Sequence, residues 1–247
     1  MKNKTLWKQV GAAAIAAAMV MSTVPATPVQ AAGGKTLAVS SQKQLNQALK
    51  TVKGKNAVIT VKAGKNVKIT IPKGTYKVTI RVVGKKAAVV NNGTVKEIVV
   101  NSKGTVAIKN NGTIKKVTVQ NAKSVSFSGN HKKAVPVVVN AEDVSMILAA
   151  PAKITAKKDV NIVLKKGAEK SSITCTKNVQ AQVDNQTKKA ISVKIADGTT
   201  LKVESGESCT ITPKGKKEDT SGEDKTDGKD QKTDDTSDGN ASSGSSS

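Results

Sequence analysis

The carboxylates that acid–base chemistry would require are few and scattered in this 247-residue chain. Two carboxylates that share work on a glycosidic bond must lie within roughly 5–10 Å of each other. Only Glu142 and Asp143 are neighbours in sequence, and a solvated turn is the simplest interpretation of that pair. We therefore predict no catalytic residue. The carboxylates between residues 32 and 217 are Glu97, Glu142, Asp143, Asp159, Glu169, Asp184, Asp197, Glu204 and Glu207.

Metal and thiol chemistry have even fewer candidates. His131 is the only histidine and lies beside Lys132 and Lys133, and no Cys/His cluster has the spacing of a metal site, so we predict no metal and no other cofactor. Cys175 and Cys209 are the only cysteines. In an exported chain we predict a disulfide between them that ties the last repeats together. Two buried, reduced cysteines are the alternative.

Positive charge is the strongest chemical feature of the chain. Residues 32–217 contain 35 Lys or Arg and nine Asp or Glu, a net charge of +26, whereas residues 218–247 have a net charge of −6. Only Arg81 is an arginine. Lysine acts as a point charge and lacks the planar fork with which arginine reads phosphate or carboxylate geometry. The composition of residues 32–217 therefore predicts that they attract polyanions diffusely and do not recognise a specific nucleic-acid sequence.

Lysine doublets recur along this basic body. A net charge of only about 2–8 keeps a small domain soluble, so we interpret the doublets as a surface for a long anionic polymer such as teichoic acid, a uronate polysaccharide or DNA. Protection of strand edges is the plainer interpretation. Tyr76 and Phe127 are the only aromatic residues after residue 31, which disfavours both a single-stranded nucleic-acid groove and a sugar-binding cleft, since each commonly uses aromatic stacking. The candidate polyanion-binding residues are Lys85, Lys86, Lys115, Lys116, Lys132, Lys133, Lys157, Lys158, Lys165 and Lys166.

A repeat of 19–20 residues must position these side chains. Each repeat contains two short apolar triplets, and a strand turns alternate side chains to opposite faces, so two residues of each triplet point inward. Two strand signals in a fixed period predict an all-β fold, a parallel β-solenoid or β-helix. The triplets are centred on residues 60, 79, 99, 118 and 138 in one series and on 70, 88, 107, 126 and 145 in the other.

The turns of the repeat decide between two arrangements of these strands. A meander of antiparallel hairpins is the alternative. However, the Asn-Asn-Gly-Thr turns at 91–94 and 110–113 recur once for every two strands, which favours the solenoid. Asn and Gly tolerate the backbone of a tight corner, and we expect the asparagines of successive rungs to stack in a hydrogen-bonded ladder.

The outward residues of the second series are small and uncharged in an otherwise lysine-rich chain. They predict a strip that packs against a second copy of the chain, another partner or a loop of the same chain, unless they are ordinary strand residues. The strip consists of Thr70, Ala88, Ala107, Ser126 and Ser145.

The two ends of the chain differ from its body. Residues 1–31 have the basic start, apolar run and small-residue cleavage site of a bacterial signal peptide, which predicts a secreted or cell-surface protein without a membrane span. Residues 33–212 form the predicted solenoid domain, with a capping helix at 41–51 that begins at the N-cap Ser41 and its capping-box partner Gln44. Residues 213–247 are predicted to be a disordered acidic tail rich in Gly, Ser, Thr, Asp and Lys.

The segment from residue 40 to residue 76 has a recognisable order of motifs. A helix of the form x-x-x-L-x-x-A-L at 40–49 precedes a strand at 56–61 and a G-x-Y turn at 72–76. This segment of 37 residues resembles the start of right-handed parallel β-helices of the pectate-lyase-like superfamily. The resemblance implies a β-helix, and it also implies that catalysis would need clustered Asp and Glu with a basic residue such as Arg81. The chain lacks that carboxylate cluster.

Together these observations predict a non-catalytic, adhesin-like protein that binds anionic cell-wall or glycan polymers through its lysines. A polysaccharide lyase or another glycan-active β-helix enzyme with an atypical site is one alternative. A structural surface spacer is the other.

Overall fold

The computed structural model describes residues 35–64, 66–212 and 217–219. The predicted signal peptide at 1–31 lies outside the described residues, and so does most of the predicted tail. The described part contains one helix, α1 (Gln42–Thr51). Its strands are β1 (Lys35–Val39), β2 (Ala57–Ala63), β3 (Val67–Ile71), β4 (Val78–Gly84), β5 (Lys86–Asn91), β6 (Thr94–Val95), β7 (Glu97–Asn101), β8 (Thr105–Asn110), β9 (Thr113–Ile114), β10 (Val117–Asn121), β11 (Ser124–Ser128), β12 (Val135–Val139), β13 (Val144–Ala149), β14 (Ala152–Ala156), β15 (Val160–Leu164), β16 (Ser172–Cys175), β17 (Ala181–Asn185), β18 (Ile191–Lys194), β19 (Thr200–Val203), β20 (Ser208–Ile211) and β21 (Lys217–Asp219).

These strands form the parallel β-solenoid that the sequence predicts, with about eight turns. The first sheet has the order β1-β2-β4-β7-β10-β12-β14-β16-β18-β19, and the second has the order β21-β20-β17-β15-β13-β11-β8-β5-β3. The chain crosses between the two sheets in every turn, and β6 pairs with β9 in a short third ladder. The strands of the body pair in parallel, so the antiparallel meander does not describe it.

Alternating side chains explain why these segments become strands with a common core. In β12, for example, Val135, Val137 and Val139 are buried and Pro136 is exposed. β-Branched residues suit such a half-buried pleated surface. The inward residues of successive rungs stack into one continuous core between the two sheets.

The register of the first turns differs from the sequence prediction. The sequence pattern aligns Thr60 with Thr79, but Thr60 pairs with Arg81, and Arg81 pairs with Val99. The chain takes 11 residues from Thr70 on the second sheet to Arg81 on the first, but only nine between their partners Val90 and Val99, and this difference moves β4 by two residues. A slip of two residues keeps every side chain on its face, so the predicted inward and outward positions remain correct.

Asparagine side chains form hydrogen bonds within and between the turns that lead from the second sheet to the first. Asn91 and Asn110 are fully buried, and Asn91 Nδ2 donates to Asn110 Oδ1 at 2.8 Å and to Gly93 O at 2.9 Å. At the surface, Asn111 Nδ2 donates to Asn92 Oδ1 at 3.0 Å. The predicted asparagine ladder is therefore confirmed for these two rungs.

The ladder ends at Gly129. A Cβ atom there would lie 1.9 Å from Asn110 O, and the φ angle of +134° suits glycine. Because this rung offers no side chain as acceptor, Asn110 Nδ2 has no hydrogen-bond partner, the one such buried side-chain atom among the described residues.

Helix α1 caps the N-terminal end of the solenoid, as predicted. Ser41 is the N-cap, and its Oγ accepts from Gln44 N at 3.3 Å. The Gln44 side chain accepts from Ser40 N at 2.7 Å, one residue earlier than a capping box requires. The residues that α1 buries are Leu45, Ala48 and Leu49.

Gln42 protects the exposed edge of the second sheet. Its Nε2 donates to Thr70 O at 2.8 Å, and its Oε1 accepts from Thr70 N at 2.6 Å. One side-chain amide thus replaces the missing neighbour of β3, and satisfied edge groups resist pairing with another chain.

The C-terminal end closes with antiparallel strands. β19 pairs with β18, β20 with β17, and β21 with β20. Residues 217–219 of the predicted tail thus pair with β20, and the rest of the tail lies outside the described residues. The edge of β20 supplies backbone hydrogen bonds to this polar segment, and composition alone does not reveal such a partner.

Candidate polyanion-binding edge

The turns between the sheets form two edges of the solenoid. The first edge consists of the turns that lead from the first sheet to the second; its described residues are 64, 66, 85, 102–104, 122–123, 140–143, 157–159 and 176–180. The second edge consists of the turns that lead back: residues 72–77, 92–96, 111–116, 129–134, 150–151, 165–171 and 186–190.

The ten lysines singled out in the sequence are all exposed, but they do not share one surface. Three lie at the first edge, Lys86 lies directly beside that edge as the first residue of β5, and six lie at the second edge. The first group is Lys85, Lys86, Lys157 and Lys158. The second group is Lys115, Lys116, Lys132, Lys133, Lys165 and Lys166.

The second edge is far more basic than the doublets alone indicate. It has twelve lysines, all of them exposed, and Glu169 is its single carboxylate. Six of its seven turns contribute at least one lysine, and neighbouring strands lie about 4.8 Å apart, so the row is about 30 Å long. The lysines are Lys73, Lys77, Lys96, Lys115, Lys116, Lys132, Lys133, Lys165, Lys166, Lys170, Lys188 and Lys189.

Two contacts moderate this charge. Lys116 Nζ lies 3.4 Å from Glu97 Oε1, at the start of β7. Within the edge, Gly167 N donates to Glu169 Oε2 at 2.9 Å, and this hydrogen bond lowers the pKa of the Glu169 carboxyl. Both carboxylates are thus engaged, and most of the lysine row keeps its positive charge available to a ligand.

The first edge has a different composition. Its described residues include six lysines and the three carboxylates Glu142, Asp143 and Asp159. Lys158 Nζ donates to Glu142 Oε1 at 2.7 Å, and this bond lowers the pKa of the Glu142 carboxyl and raises that of the Lys158 ammonium. Asp159 Oδ1 accepts from Gln180 N at 2.8 Å.

The three carboxylates of the first edge line one shallow cleft of about 340 Å³ together with Lys157, Lys158, Lys177 and Asn178. The sequence did not indicate that Asp159 joins Glu142 and Asp143. The register brings them to the same cleft: Val144 pairs with Val160, only 16 residues later, so Asp143 and Asp159 lie side by side and Asp143 N donates to Asp159 O at 3.0 Å. In the described residues, no three His, Cys, Asp or Glu side chains are arranged to hold a metal ion.

His131 links two rungs at the second edge. Its Nδ1 lies 3.2 Å from Asn110 O and its Nε2 lies 3.0 Å from Pro151 O. The ring also meets the Phe127 ring edge-on, with 5.2 Å between centroids. These contacts give His131 a structural role: it connects the turns of neighbouring rungs just after the asparagine ladder ends.

The predicted disulfide is absent. Cys175 in β16 and Cys209 in β20 are both buried, and no disulfide bond joins them in this structure. The two strands belong to different sheets. Facing sheets lie about 10 Å apart, whereas a disulfide needs Cα atoms within roughly 7 Å. Burial raises the pKa of the Cys175 thiol to about 11.

The small-residue strip lies on the outer face of the second sheet, and its five residues are all half-exposed. Only Ala88, Ala107 and Ser126 stack directly on one another. Thr70 and Ser145 lie in the columns on either side, because the register moves by two residues at each end of the strip. Association of two chains through this face stays a prediction.

A cleft that the sequence did not reveal lies at the N-terminal end of the second edge. It has a volume of about 480 Å³ and separates α1 from the turn at 72–77. The side chains that matter for its chemistry are Asn46, Leu49, Lys50, Lys53, Lys73 and Tyr76. The G-x-Y signal placed Tyr76 in a turn, but only the docking of α1 brings Lys50 and Lys53 to it.

Helix α1, the single helix of the described residues, is too short and too polar to cross a membrane. No family model, curated protein or solved structure matches this chain.

Proposed function

We propose that this chain is a non-catalytic, adhesin-like binding protein that engages anionic cell-wall or glycan polymers, either secreted by a bacterium or held on its surface. The observation that carries the proposal is the second edge, where twelve exposed lysines and one carboxylate follow successive rungs. A linear polyanion that lies along this edge meets positive charge in almost every turn.

Many weak contacts add up along such an edge. One lysine near an anionic surface contributes about 1 kcal/mol. Several lysines that act together therefore give strong binding that releases counterions and depends steeply on salt. Only the polymer's charge and length are read in this way, which suits a glycan or wall polymer better than a specific nucleic-acid sequence.

The state of the carboxylates supports a non-catalytic protein. A general acid in a glycosidase has a raised pKa, but the pKa of Glu142 is lowered by Lys158. Arg81, the base that the superfamily resemblance would imply, lies on β4, three strands from β12 in the first sheet. That separation is about 14 Å, too far from Glu142 for shared proton transfer.

A glycan-active enzyme is the second candidate, and one observation favours it. Glu142, Asp143 and Asp159 line one cleft. If these carboxylates acted on a glycan, replacement of each would abolish turnover while binding at the second edge persisted.

The resemblance of residues 40–76 also supports an architectural proposal. We infer that the solenoid is related to the pectate-lyase-like β-helices and lacks their catalytic carboxylates. The position of α1 over the first rungs agrees with that resemblance.

Binding of the full chain to purified cell walls and to anionic and neutral glycans tests the proposed function. We expect binding to anionic polymers at about 50 mM salt that weakens by about 10³-fold or more at about 200 mM, as counterion release requires when six or more lysines take part. Equal binding to neutral glycans, or no binding to any polymer, would contradict the proposal. Release of shortened products from a bound glycan would favour the enzyme.

A further inference from the structure

We propose that the cleft between α1 and the turn at 72–77 binds one sugar unit of an anionic glycan, a six-membered ring that carries a carboxylate or phosphate group. This inference rests on the proposed function, because the rest of the polymer would follow the second edge. It adds an open cleft with an aromatic wall to a surface that otherwise recognises charge alone.

Tyr76 gives the cleft a fixed aromatic wall. Its ring lies against Gly74 and Gly93, where added Cβ atoms would come within 2.9 Å of Tyr76 Oη and 3.1 Å of ring carbon Cε2. Its backbone N donates to Thr94 O at 2.8 Å, and its Oη donates to Lys73 O at 3.3 Å. A ring held in this way offers an apolar platform for the C–H face of a sugar and loses little entropy when the sugar binds.

The charge of the cleft selects an anion. Lys50, Lys53 and Lys73 line it, and no Asp or Glu does. The C-terminal end of α1 also lies here, and a helix end contributes about half a negative charge. Three full positive charges outweigh that contribution, so the cleft favours a carboxylate or phosphate group over a neutral hydroxyl.

The remaining walls suit the neutral part of a sugar. Leu49 and Pro72 are apolar, whereas Asn46 and Thr75 provide side chains that donate and accept hydrogen bonds. Small-molecule sites commonly have volumes of about 300–1,000 Å³, with mostly apolar walls and a few polar groups. The 480 Å³ of this cleft is therefore ample for one ring and the first atoms of its neighbours.

The position of the cleft connects it to the lysine row. Lys73 lines the cleft and is also the first lysine of the second edge, and Lys77 and Lys96 follow in the same turn and the next. A polymer whose end unit occupies the cleft would next reach Lys77 and Lys96 of the second edge. A bound end unit would also fix the register of the polymer, which the lysines by themselves do not.

The chain has a single tyrosine, so the unmodified protein contains its own reporter. Selective ¹³C labelling of tyrosine gives ring signals from Tyr76 alone in the full chain. We expect a mannuronate hexasaccharide to shift these signals at both about 50 and about 300 mM salt. Glucose 6-phosphate in the same assay distinguishes a phosphate-bearing ring from a uronate, and cellohexaose is the neutral control.

Two variants with the same loss of charge sharpen the test. Replacement of Lys50, Lys53 and Lys73 by Gln should abolish the Tyr76 shift at about 300 mM salt. Replacement of Lys103, Lys123 and Lys177 by Gln removes three charges from the first edge and should leave the shift intact. Tyr76→Leu keeps an apolar side chain and should weaken hexasaccharide binding at about 300 mM salt by about tenfold, with thermal unfolding as the check that the variant folds.

Different failures point to different errors. Binding of anionic polymers to the full chain without any Tyr76 shift would overturn the cleft and leave the proposed function standing. An equal shift with cellohexaose would overturn the selection of an anionic sugar. Absence of binding to every polymer would overturn both proposals.

Discussion

The two edges of the solenoid perform the same structural task with different charges. Each edge returns the chain from one sheet to the other, and in each the backbone of one turn bonds to the backbone of the next. The first edge does so with six described lysines and three carboxylates, and Lys158 pairs with Glu142. The second edge has twelve lysines and one carboxylate. The fold therefore does not require the lysine row.

Like charges in neighbouring rungs repel one another. Two unit charges 4.8 Å apart in water have an interaction energy of about 0.9 kcal/mol, and lysine side chains reduce this by spreading apart. At the first edge, opposite charges remove part of the repulsion. At the second edge the repulsion remains, and a bound polyanion would relieve it. This difference in charge supports the proposal that the second edge, and not the first, binds an external anion.

The largest expected effect comes from neutralising one edge at a time. Replacement of Lys115, Lys116, Lys132 and Lys133 by Gln should weaken binding of an anionic polymer about 1,000-fold at low salt, because each lysine contributes about 1 kcal/mol. Isothermal titration of the full chain measures the loss. The matched control replaces Lys85, Lys86, Lys157 and Lys158 at and beside the first edge. A similar loss in both variants would show that the edges do not differ in binding.

Glycine at the first edge offers the next test. A Cβ atom on Gly104 would lie 1.8 Å from Lys85 O, a backbone atom of the neighbouring rung. We expect Gly104→Ala to lower the free energy of unfolding by about 3 kcal/mol, since the rungs must separate. Denaturant unfolding measures it. Gly64→Ala on the same edge meets nothing within 4 Å and should change stability little. Equal stability of the two variants would contradict the tight stacking of this edge.

The asparagine ladder tests the second edge in the same way. Asn91→Ala leaves Asn110 Oδ1 and Gly93 N without their bonds to the Asn91 side chain in a buried site, which should cost about 2 kcal/mol. Asn111→Ala removes only the exposed bond to Asn92 and should cost less than about 0.5 kcal/mol. Thermal unfolding compares the two variants. A cost for Asn111→Ala as large as that for Asn91→Ala would contradict a stabilising role for the buried ladder.

The smallest effect concerns the ion pair of the first edge. Lys158→Gln should raise the pKa of Glu142 towards its ordinary value, because the lost hydrogen bond favoured the ionised carboxylate. In the parent chain the lowered pKa stabilises the fold above the ordinary pKa of Glu, and this contribution disappears as the pH falls through the lowered value. Both groups are fully exposed, so little stability is involved.

Carboxyl ¹³C chemical shifts across a pH titration measure the Glu142 pKa directly. Glu169 is the internal control, because Gly167 N, not Lys158, is the main cause of its lowered pKa. If the pKa values of both Glu142 and Glu169 rose in the Lys158→Gln variant, the cause would be the general loss of positive charge. That result would contradict a specific interaction between Lys158 and Glu142.

Most of the scaffold could be predicted from the sequence, and particular residues show why. Inward Val137 and Val139 follow from alternation alone, because a strand has a period of two residues. Ser41 and Leu45 identify the capping helix through local signals. The pairing of Thr60 with Arg81 could not be predicted, because a connection of 11 residues between the sheets preserves the alternation as well as one of nine.

The candidate site was predicted less completely. The lysine doublets indicated a basic surface. The sequence did not show that the doublets lie on two different edges, with Lys85 on the first and Lys115 on the second. The disulfide between Cys175 and Cys209 was predicted from their number and sequence separation. Neither property tells which sheet each cysteine's strand joins, and the two strands lie in different sheets. The G-x-Y motif placed Tyr76 in a turn. No pattern in the neighbouring sequence indicated that Lys50 lines the same cleft as Tyr76.

The sequence by itself determined the repeat, the inward and outward faces, the helix that closes the end, and the positive charge of the body, because each of these depends on residue type and short spacing. Only the tertiary structure decided which lysines share an edge, how Asp159 reaches Glu142, and how α1 meets the first turn. Those relations depend on turn lengths and on the packing of distant segments. A change of two residues in a turn leaves the pattern intact and moves every contact that follows it.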